Sequence, residues 1–383
     1  MSAATGLDSY FDNPLGGLSD QAWDELAGEK FYCSALWLRL CALAPGSTSG
    51  GVHVELPGGG RAAVPVAAVR HEPNANSRWG DQLTQRGLPS PAERGLLVGQ
   101  RRGYLTELMY SPGADRQQAA TELLAALRSV RLPDPGPTPC VAMYLTTPDA
   151  LALRAAGVRA VPVALKTDAW IEIPDGGWDA WLDSLGSHRA RRIRSEARKF
   201  DQVGYQLEYR TLRESYRDVA RLLARTEERY GRSVDLDGLT RSFGNQGELA
   251  GDRAQVLLCS EAGQPPVGFC LFYRSDDTIF LRAIGFDYQK LHSATEYFNL
   301  TYYLPARLPG VRWLHAGIST PEGKALRGAT LRPLWLMDLS EDSVLAGRDA
   351  EIRRHNSGFL GELADSSPVV AAALPDELWK VFC

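Results

Sequence analysis

The sequence contains an internal repeat with a constant offset of 173 residues. Residues 147–159 read TPDALALRAAGVR and residues 320–332 read TPEGKALRGATLR, identical at seven of thirteen positions. The same offset, without gaps, places GLLVGQRRGYLTEL (95–108) on GFCLFYRSDDTIFL (268–281). Each of these stretches has the pattern of an apolar strand, a polar turn and a second strand, which predicts a β-hairpin at both places. One offset that holds over several elements indicates a duplicated structural unit.

The order of the predicted elements also agrees between the halves. In the first half we predict a helix at about 115–129, a strand at about 140–145 and a short helix from Pro148. In the second half the same order is predicted, with a helix at about 294–307, a strand at about 311–318 and a short helix from Pro321. This mixture of helices and mostly antiparallel strands is typical of the α+β class. We therefore predict two tandem domains, residues 1–165 and 166–383, joined near residues 164–170.

Composition limits the functional classes. The 383 residues are 44% hydrophobic and 23% charged, with a formal net charge of −4, which indicates a globular protein and argues against bulk nucleic-acid binding. No apolar run approaches the ~20 residues that span a bilayer, and MSAATGLDSYFDNP does not resemble a secretory signal, so a cytoplasmic location without membrane contact is expected. The six cysteines form no Cys-x-x-Cys pair, so buried thiols are expected and a metal site is not.

Three stretches of the second half resemble the second domain of the tandem GNAT-type acyltransferases, a group that includes the Fem-type aminoacyl-tRNA-dependent transferases. They are HRARRIRSEARKF, GFDYQKLHSATEYFNLTYYLPARL and LHAGISTPEGKALRGATLRPLW. In the last, a strand ending in Gly precedes a Lys-x-x-Arg-Gly segment formed by Lys324, Arg327 and Gly328. The resemblance covers about 165–340, and 20–165 more weakly. It implies two GNAT-like domains, each a mixed, mostly antiparallel sheet flanked by helices.

The resemblance also implies transfer of an acyl group to an amine. In such enzymes the donor lies where two adjacent strands splay apart, and strand amides, here at about 279–286, hold its carbonyl oxygen. Coenzyme A users carry a Gln/Arg-x-x-Gly-x-Gly/Ala loop whose N–H groups bind the pyrophosphate. The matching stretch, DYQKLHSATEY, contains no glycine. This departure favours a phosphopantetheine thioester on an acyl carrier protein over free acyl-CoA, with no tightly bound cofactor.

The stretch without glycine predicts a helix start. Ser293 and Glu296 fit a capping box, with Ser293 as N-cap. In one interpretation they only begin the helix. In the other, Lys290 and His292 lie beside the helix N-terminus, and together with Ser293 they bind an anion of the donor.

Catalytic candidates lie on that helix and on the following strand. Tyr297 falls within the first two turns and can protonate a leaving group, and Glu296 is placed with it in the predicted catalytic set. His315 lies on the strand expected beside the donor cleft, where an imidazole can accept the proton of the attacking amine. The alternatives are an aromatic helix face for Tyr297 and a core position for His315.

The two copies of the repeat differ in polarity at the candidate positions. Ala142 is the counterpart of His315, and Leu151 is the counterpart of Lys324, which could bind a carboxylate or phosphate of the donor. Because the polar groups occur only in the second copy, we predict that the second domain is catalytic. Arg327 has the counterpart Arg154, which favours a structural role for both.

The segment SHRARRIRSEARKF (187–200) concentrates positive charge on a predicted helix. Arg191, Arg194 and Arg198 form one stripe without an acidic residue in it, and a separate apolar stripe runs along the same helix. Glu196 lies four residues after Arg192 and three before Lys199, so we expect those charges to be partly paired. A solvated helix face and a docking surface for an anionic donor both fit this pattern. We predict that the first domain has a structural role and forms one wall of the acceptor pocket, to which Trp79, Arg102 and Tyr104 contribute.

Three functions fit these observations. The first is an N-acyltransferase of bacterial specialised biosynthesis that moves an acyl group from a carrier-protein or coenzyme A thioester to a small-molecule amine. The second is a Fem-like transferase that uses aminoacyl-tRNA. The third is a GNAT-fold binding protein without catalytic activity.

Overall fold

The computed structural model describes residues 8–44, 48–132 and 138–383. Residues 1–7, part of the stretch interpreted as lacking a secretory signal, lie outside the described residues. The chain divides into two compact units, one comprising the residues up to 168 together with 331–383, and the other comprising 169–330. The sequence had placed 331–383 with the second domain, whereas this segment packs with the first unit.

Unit 1 contains a mixed sheet with the strand order β1-β2-β3-β5-β12-β6, and β4 pairs with β2. Its strands are β1 (Thr48–Glu55), β2 (Arg61–Val69), β3 (Gly95–Val98), β4 (Met109–Tyr110), β5 (Cys140–Leu145), the first part of β6 (Val163–Glu172) and β12 (Thr330–Asp338). Its helices are α1 (Asp8–Phe11), α2 (Asp20–Ala27), α3 (Ala35–Ala42), α4 (Trp79–Thr84), α5 (Arg116–Ser129), α6 (Thr147–Ala155), α13 (Asp349–Ser366), α14 (Pro368–Ala371) and α15 (Asp376–Trp379).

Unit 2 has the strand order β6-β11-β10-β9-β8-β7. Besides the end of β6, its strands are β7 (Gln206–Thr211), β8 (Ala254–Ser260), β9 (Gly268–Ser275), β10 (Thr278–Phe286) and β11 (Trp313–Gly317). Its helices are α7 (Gly177–Ser184), α8 (Ser187–Val203), α9 (Leu212–Arg229), α10 (Leu236–Ala250), α11 (Thr295–Phe298), a π-helix (Asn299–Tyr303) and α12 (Pro321–Ala325).

Local sequence explains the helices that frame unit 2. Helix α9 begins at a capping box in which Thr211 and Glu214 exchange hydrogen bonds. Helix α8 ends at Gly204, which adopts the left-handed conformation that glycine tolerates best. The predicted apolar stripe of α8 is confirmed, because Ala190, Ile193, Ala197 and Phe200 are buried.

The repeat is confirmed by topology, but its strand alignment needs one correction. In each unit a helical segment connects two parallel neighbouring strands, β3 and β5 in unit 1 and β10 and β11 in unit 2. Strand β3 is therefore the counterpart of β10, although the gapless offset placed it on β9. The predicted hairpin at 95–108 is wrong, since β3 and Thr106 both pair in parallel with β5, and residues 99–105 form an excursion. The hairpin predicted at 268–281 is confirmed by antiparallel β9 and β10.

Candidate functional site

Strands β10 and β11 of unit 2 separate part-way along their length. Their parallel ladder ends at the pair Phe280 and His315. Strand β10 nevertheless continues to Phe286, paired with β9 on its other edge. Beyond Phe280, the edge of β10 that faced β11 therefore no longer belongs to that ladder.

Irregularities mark the separation on both strands. The register of β10 shifts between Leu281 and Ala283, and that of β11 shifts between His315 and Gly317. Side-chain exposure changes at the same place, since 279–280 and 314–315 are buried whereas 281–284 and 316–317 are partly exposed. Bulges of this kind redirect a strand next to a functional site. The opening between the two strands is the candidate donor cleft.

His315 lies at the apex of this cleft. Its ring is buried and packs against Trp170, with 4.7 Å between ring centroids, and against Phe280 at 5.5 Å. These two residues are its cross-strand partners on β6 and β10. The structure therefore holds the predicted base in an aromatic environment at the point where the strands part.

Glu296 closes the loop that precedes α11. Its fully buried carboxylate accepts hydrogen bonds from the backbone N–H groups of His292 (3.0 Å) and Ser293 (2.9 Å). It also accepts one from the Ser293 hydroxyl and one from Tyr205, both at 3.0 Å. The N-cap prediction is corrected, because α11 begins at Thr295 with Ala294 as its N-cap. The backward reach of Glu296 to Ser293 is present as predicted.

The predicted cations of this loop do not converge on an open anion site. His292 pairs with Glu261 through Nε2 at 2.7 Å, and both side chains are about half exposed. Lys290 is exposed two residues earlier. Since the N–H groups of His292 and Ser293 already bind Glu296, an internal carboxylate occupies the place where the resemblance would put a pyrophosphate.

Tyr297 borders the far end of β10. Its ring lies 6.3 Å from that of Phe286, the last residue of the strand, and its hydroxyl is hydrogen-bonded to Tyr302. Burial raises the pKa of Tyr297 above its ordinary value of 10. The phenol is therefore protonated at neutral pH, which is the form that a general acid requires.

Lys324 and Arg327 are both buried. The Lys324 ammonium donates to the Gly317 carbonyl at 2.8 Å and so holds the end of β11. Arg327 donates to the Gly323 carbonyl at 2.7 Å, and its guanidinium lies 3.7 Å from the centroid of the Phe298 ring. Like its counterpart Arg154, which donates to the carbonyl of Val158, Arg327 is bonded to backbone.

The arginine stripe of α8 is exposed and is partly paired. Arg194 forms an ion pair with Asp183 of α7 at 3.3 Å, which corrects the expectation that the stripe has no acidic partner. Within the described residues, Arg191 and Arg198 form no ion pair. The predicted pairing of Arg192 with Glu196 is confirmed at 3.0 Å.

The predicted acceptor residues all lie in unit 1. Trp79 is buried and donates to the Ala92 carbonyl at 3.1 Å. Tyr104 adopts a positive φ of 57° and accepts a hydrogen bond from Asn74 at 3.1 Å. Arg102 is half-buried, and its carbonyl accepts from Trp37 at 2.8 Å. Their role as acceptor ligands stays a prediction.

Sequence reasoning missed four residues that the structure brings forward. Glu196 was read only as a partner of its helix neighbours, yet Tyr303 also donates to it and Arg327 does so at 3.4 Å. Trp178 and Arg307 line the same surface depression as the arginine stripe of α8, although they belong to other segments of the chain. In unit 1, burial and then the neighbouring carboxylate of Asp149 raise the pKa of Glu107 to about 7. No spacing signal marks these residues, because their partners are distant in sequence.

The fold is similar to two groups of solved structures. The C-terminal domain (DUF2156) of a protein assigned as a lysylphosphatidylglycerol synthetase from Agrobacterium fabrum matches with a TM-score of 0.53 and 8% identity, over 89% of this chain and 96% of that one. FemX matches with a TM-score of 0.52 and 12% identity, over 84% and 95%. No protein-family model and no curated protein sequence matches the chain. The chain thus shares the fold of FemX, in line with the Fem-related fold that the resemblance implied.

No helix among the described residues combines the length and the hydropathy needed to cross a bilayer. Within the same residues, no group of three or more His, Cys, Asp or Glu side chains is placed to hold a metal ion. All six cysteines are free thiols, and Cys259 and Cys270 are buried as predicted.

Proposed function

We propose that the protein is an acyltransferase that forms an amide bond in the cleft between β10 and β11. The observation that carries this proposal is the end of the ladder at Phe280 and His315 while β10 continues to Phe286. A donor carbonyl placed there receives hydrogen bonds from β10 amides, which stabilise the oxyanion as negative charge develops. The catalytic unit is then unit 2, as the asymmetry of the repeat predicted.

The proposed step uses His315 and Tyr297. The amine nitrogen attacks the thioester carbonyl carbon, the C–N bond forms, and His315 accepts the proton that the nitrogen loses, directly or through water. When the tetrahedral intermediate collapses, the C–S bond breaks and Tyr297 protonates the departing thiolate. The products are an amide and a free thiol.

Free coenzyme A fits this site poorly, and we propose a donor attached to a carrier protein by a phosphopantetheine arm. Glu296 occupies the N–H groups of the loop before α11, so a pyrophosphate would meet a buried carboxylate there. Like charges in a buried position repel strongly. The Lys290, His292 and Ser293 segment is accordingly proposed to act in loop structure, and Lys324 in holding β11.

Thermal shift measurements at low salt test the donor class. The protein is melted in parallel with coenzyme A, with a holo-acyl carrier protein and with total tRNA. A ligand at 100 times its Kd adds ~2.7 kcal/mol to the apparent stability, which raises Tm by a few degrees. A shift with the holo-carrier supports the proposal, whereas a shift with coenzyme A and none with the carrier contradicts it.

Transfer from aminoacyl-tRNA is the second candidate, and the likeness to the fold of FemX favours it. In that reaction the same amine attack would break a C–O bond to the ribose in place of the C–S bond. Product formation that is abolished by RNase would replace the thioester proposal with this one. Unchanged activity after His315→Ala and Tyr297→Phe, each made alone, would reject this pair as the catalytic residues.

A further inference from the structure

One surface of unit 2 has a concentration of positive charge around a depression of ≈ 520 Å³. We call it the arginine depression, and it is lined by Trp178, Ser187, Arg191, Arg194, Ala197, Arg198, Asp201 and Arg307. These residues come from α7, from α8 and from the turn Pro305–Arg307, so tertiary packing assembles the depression from three separate segments.

The charge of the arginine depression is largely uncompensated. It contains four arginines and one acidic residue, Asp201. The ion pair between Arg194 and Asp183 joins exposed side chains and stabilises little. Within the described residues, Arg191, Arg198 and Arg307 take part in no ion pair. A partner that brings carboxylates or phosphates would therefore find donors that are not already engaged.

Trp178 gives the depression an aromatic wall. The Arg307 guanidinium lies over its ring at 4.1 Å, which is the geometry of a cation–π contact. The ring also packs against Trp181 and Tyr303 of unit 2, with centroids 5.2 and 5.7 Å away. A held tryptophan beside arginines has the composition of an interface hot spot.

The spacing on α8 fits a helical partner. Arg191, Arg194 and Arg198 fall at i, i+3 and i+7, so they span two turns and about 10 Å along one helix face. Acidic residues with the same spacing on a second helix would meet all three guanidiniums. The formal net charge of −4 means that the chain as a whole does not attract polyanions, which favours a compact acidic protein over a long polyanion such as RNA.

We propose that the arginine depression docks the acidic helix of a phosphopantetheinylated acyl carrier protein. The inference rests on the proposed function, because a transferase that cannot seat free coenzyme A needs a surface that receives the carrier of its donor. Trp178 and Arg307 form the wall against which the docked helix packs, and the α8 arginines set its register.

Charge reversal on α8 tests the docking. The double variant Arg191→Glu/Arg198→Glu is compared with Arg241→Glu/Arg253→Glu, which makes the same charge change at two exposed arginines of unit 2. The Kd for a purified type II holo-acyl carrier protein is measured by calorimetry at low and high salt, with total tRNA as a parallel probe. We expect the α8 variant to weaken carrier binding at least about tenfold, and the control to change it less than about twofold.

Three outcomes would overturn the docking proposal: no carrier binding by the wild type, equal binding by the α8 variant, or α8-dependent binding of tRNA without binding of the carrier. Turnover of acetyl-pantetheine with a panel of amines separates this proposal from the proposed function. The α8 variant should keep that carrier-free turnover at the wild-type rate. Turnover without carrier binding rejects the docking alone, whereas carrier binding without any acyl transfer rejects the proposed function alone.

Discussion

At the scale of residues, Glu296 is the carboxylate that organises the loop before α11. Four hydrogen bonds saturate its carboxylate, two of them from the backbone amides that start the helical segment after β10. The residue was predicted as a member of the catalytic set, and that role stays a prediction, while its complete burial and its bonds to two amides show that it shapes the loop. A single carboxylate thus takes the place of the anion that a glycine-rich loop would bind.

Tyr297→Phe tests the proposed general acid. Removing the hydroxyl should lower kcat for acyl transfer by about 10²-fold or more, the usual contribution of a positioned acid. Because burial raises the pKa of Tyr297 above its ordinary value of 10, its ionisation should leave the wild-type rate unaffected between pH 7 and about pH 9. Tyr209→Phe, on the half-exposed strand β7, serves as the control and should leave kcat unchanged. A variant with the wild-type kcat would exclude Tyr297 as the acid.

The raised pKa of Glu107 predicts how the stability of the protein depends on pH. Its pKa is raised from an ordinary 4.5 to about 7, so between these values the folded state binds more protons than the unfolded state. The free energy of unfolding should therefore fall as pH rises from 4.5 to 7. Glu107→Gln removes this contribution, and its stability relative to the wild type should rise by up to ~3 kcal/mol from pH 4 to pH 8.

Urea unfolding at both pH values measures the Glu107 effect. Glu29→Gln, at an exposed position of the same unit, is the matched control and should show no such change with pH. A difference between Glu107→Gln and the wild type that stays constant from pH 4 to pH 8 would contradict the raised pKa.

At the scale of elements, Glu196 connects α8 to the helical segment that follows β10. It accepts hydrogen bonds from Arg192 on its own helix, from Tyr303 on the π-helix and from the buried Arg327. Arg327 in turn lies over Phe298, the last residue of α11. The arginine-bearing helix and the helix that carries Tyr297 are therefore packed as one assembly.

Glu196→Gln and Arg192→Gln should differ in their effect on stability. The first leaves the buried Arg327 guanidinium without an anionic partner and should cost about 3 kcal/mol. The second removes only the exposed partner and should cost less than ~1 kcal/mol. Urea unfolding of both variants compares the two, and equal losses would show that Glu196 does not stabilise Arg327.

Several elements could be predicted closely, and the failures have a common physical cause. Helix α5 and strands β5 and β11 lie within two residues of the predicted bounds, because periodicity and caps are local signals. The hairpin prediction for 95–108 was wrong because two structures share the same apolar-polar-apolar sequence pattern. One is a hairpin, and the other is a single strand interrupted by an excursion such as 99–105. Only pairing with β5 distinguishes the two.

At the scale of the whole molecule, the chain leaves unit 1, builds unit 2 and returns to unit 1. Strand β12 lies between β5 and β6, and Asn356 of α13 is fully buried. The Asn356 side chain accepts from the Ala164 amide at 2.9 Å and donates to the Pro162 carbonyl at 2.9 Å. The C-terminal segment therefore completes the first unit.

Hydrogen exchange of the intact chain in mild denaturant tests this division. Amides of 331–338 should exchange together with those of β5, because strands of one cooperative unit open together. Amides of β9 and β10 should form a separate group with its own dependence on denaturant. Exchange of 331–338 in step with 268–286 would contradict the assignment.

The sequence alone determined the duplication, the α+β class and the absence of a glycine loop. The duplication is visible when the sequence is compared with itself, and the other two are visible in short stretches of residues. The tertiary structure decided where His315 lies relative to the splay, how Glu196 and Arg327 meet, and which unit receives 331–383. These features depend on contacts between segments distant in the chain. Pairing between such segments is fixed by the burial of whole faces and by strand register, which no short stretch of sequence encodes.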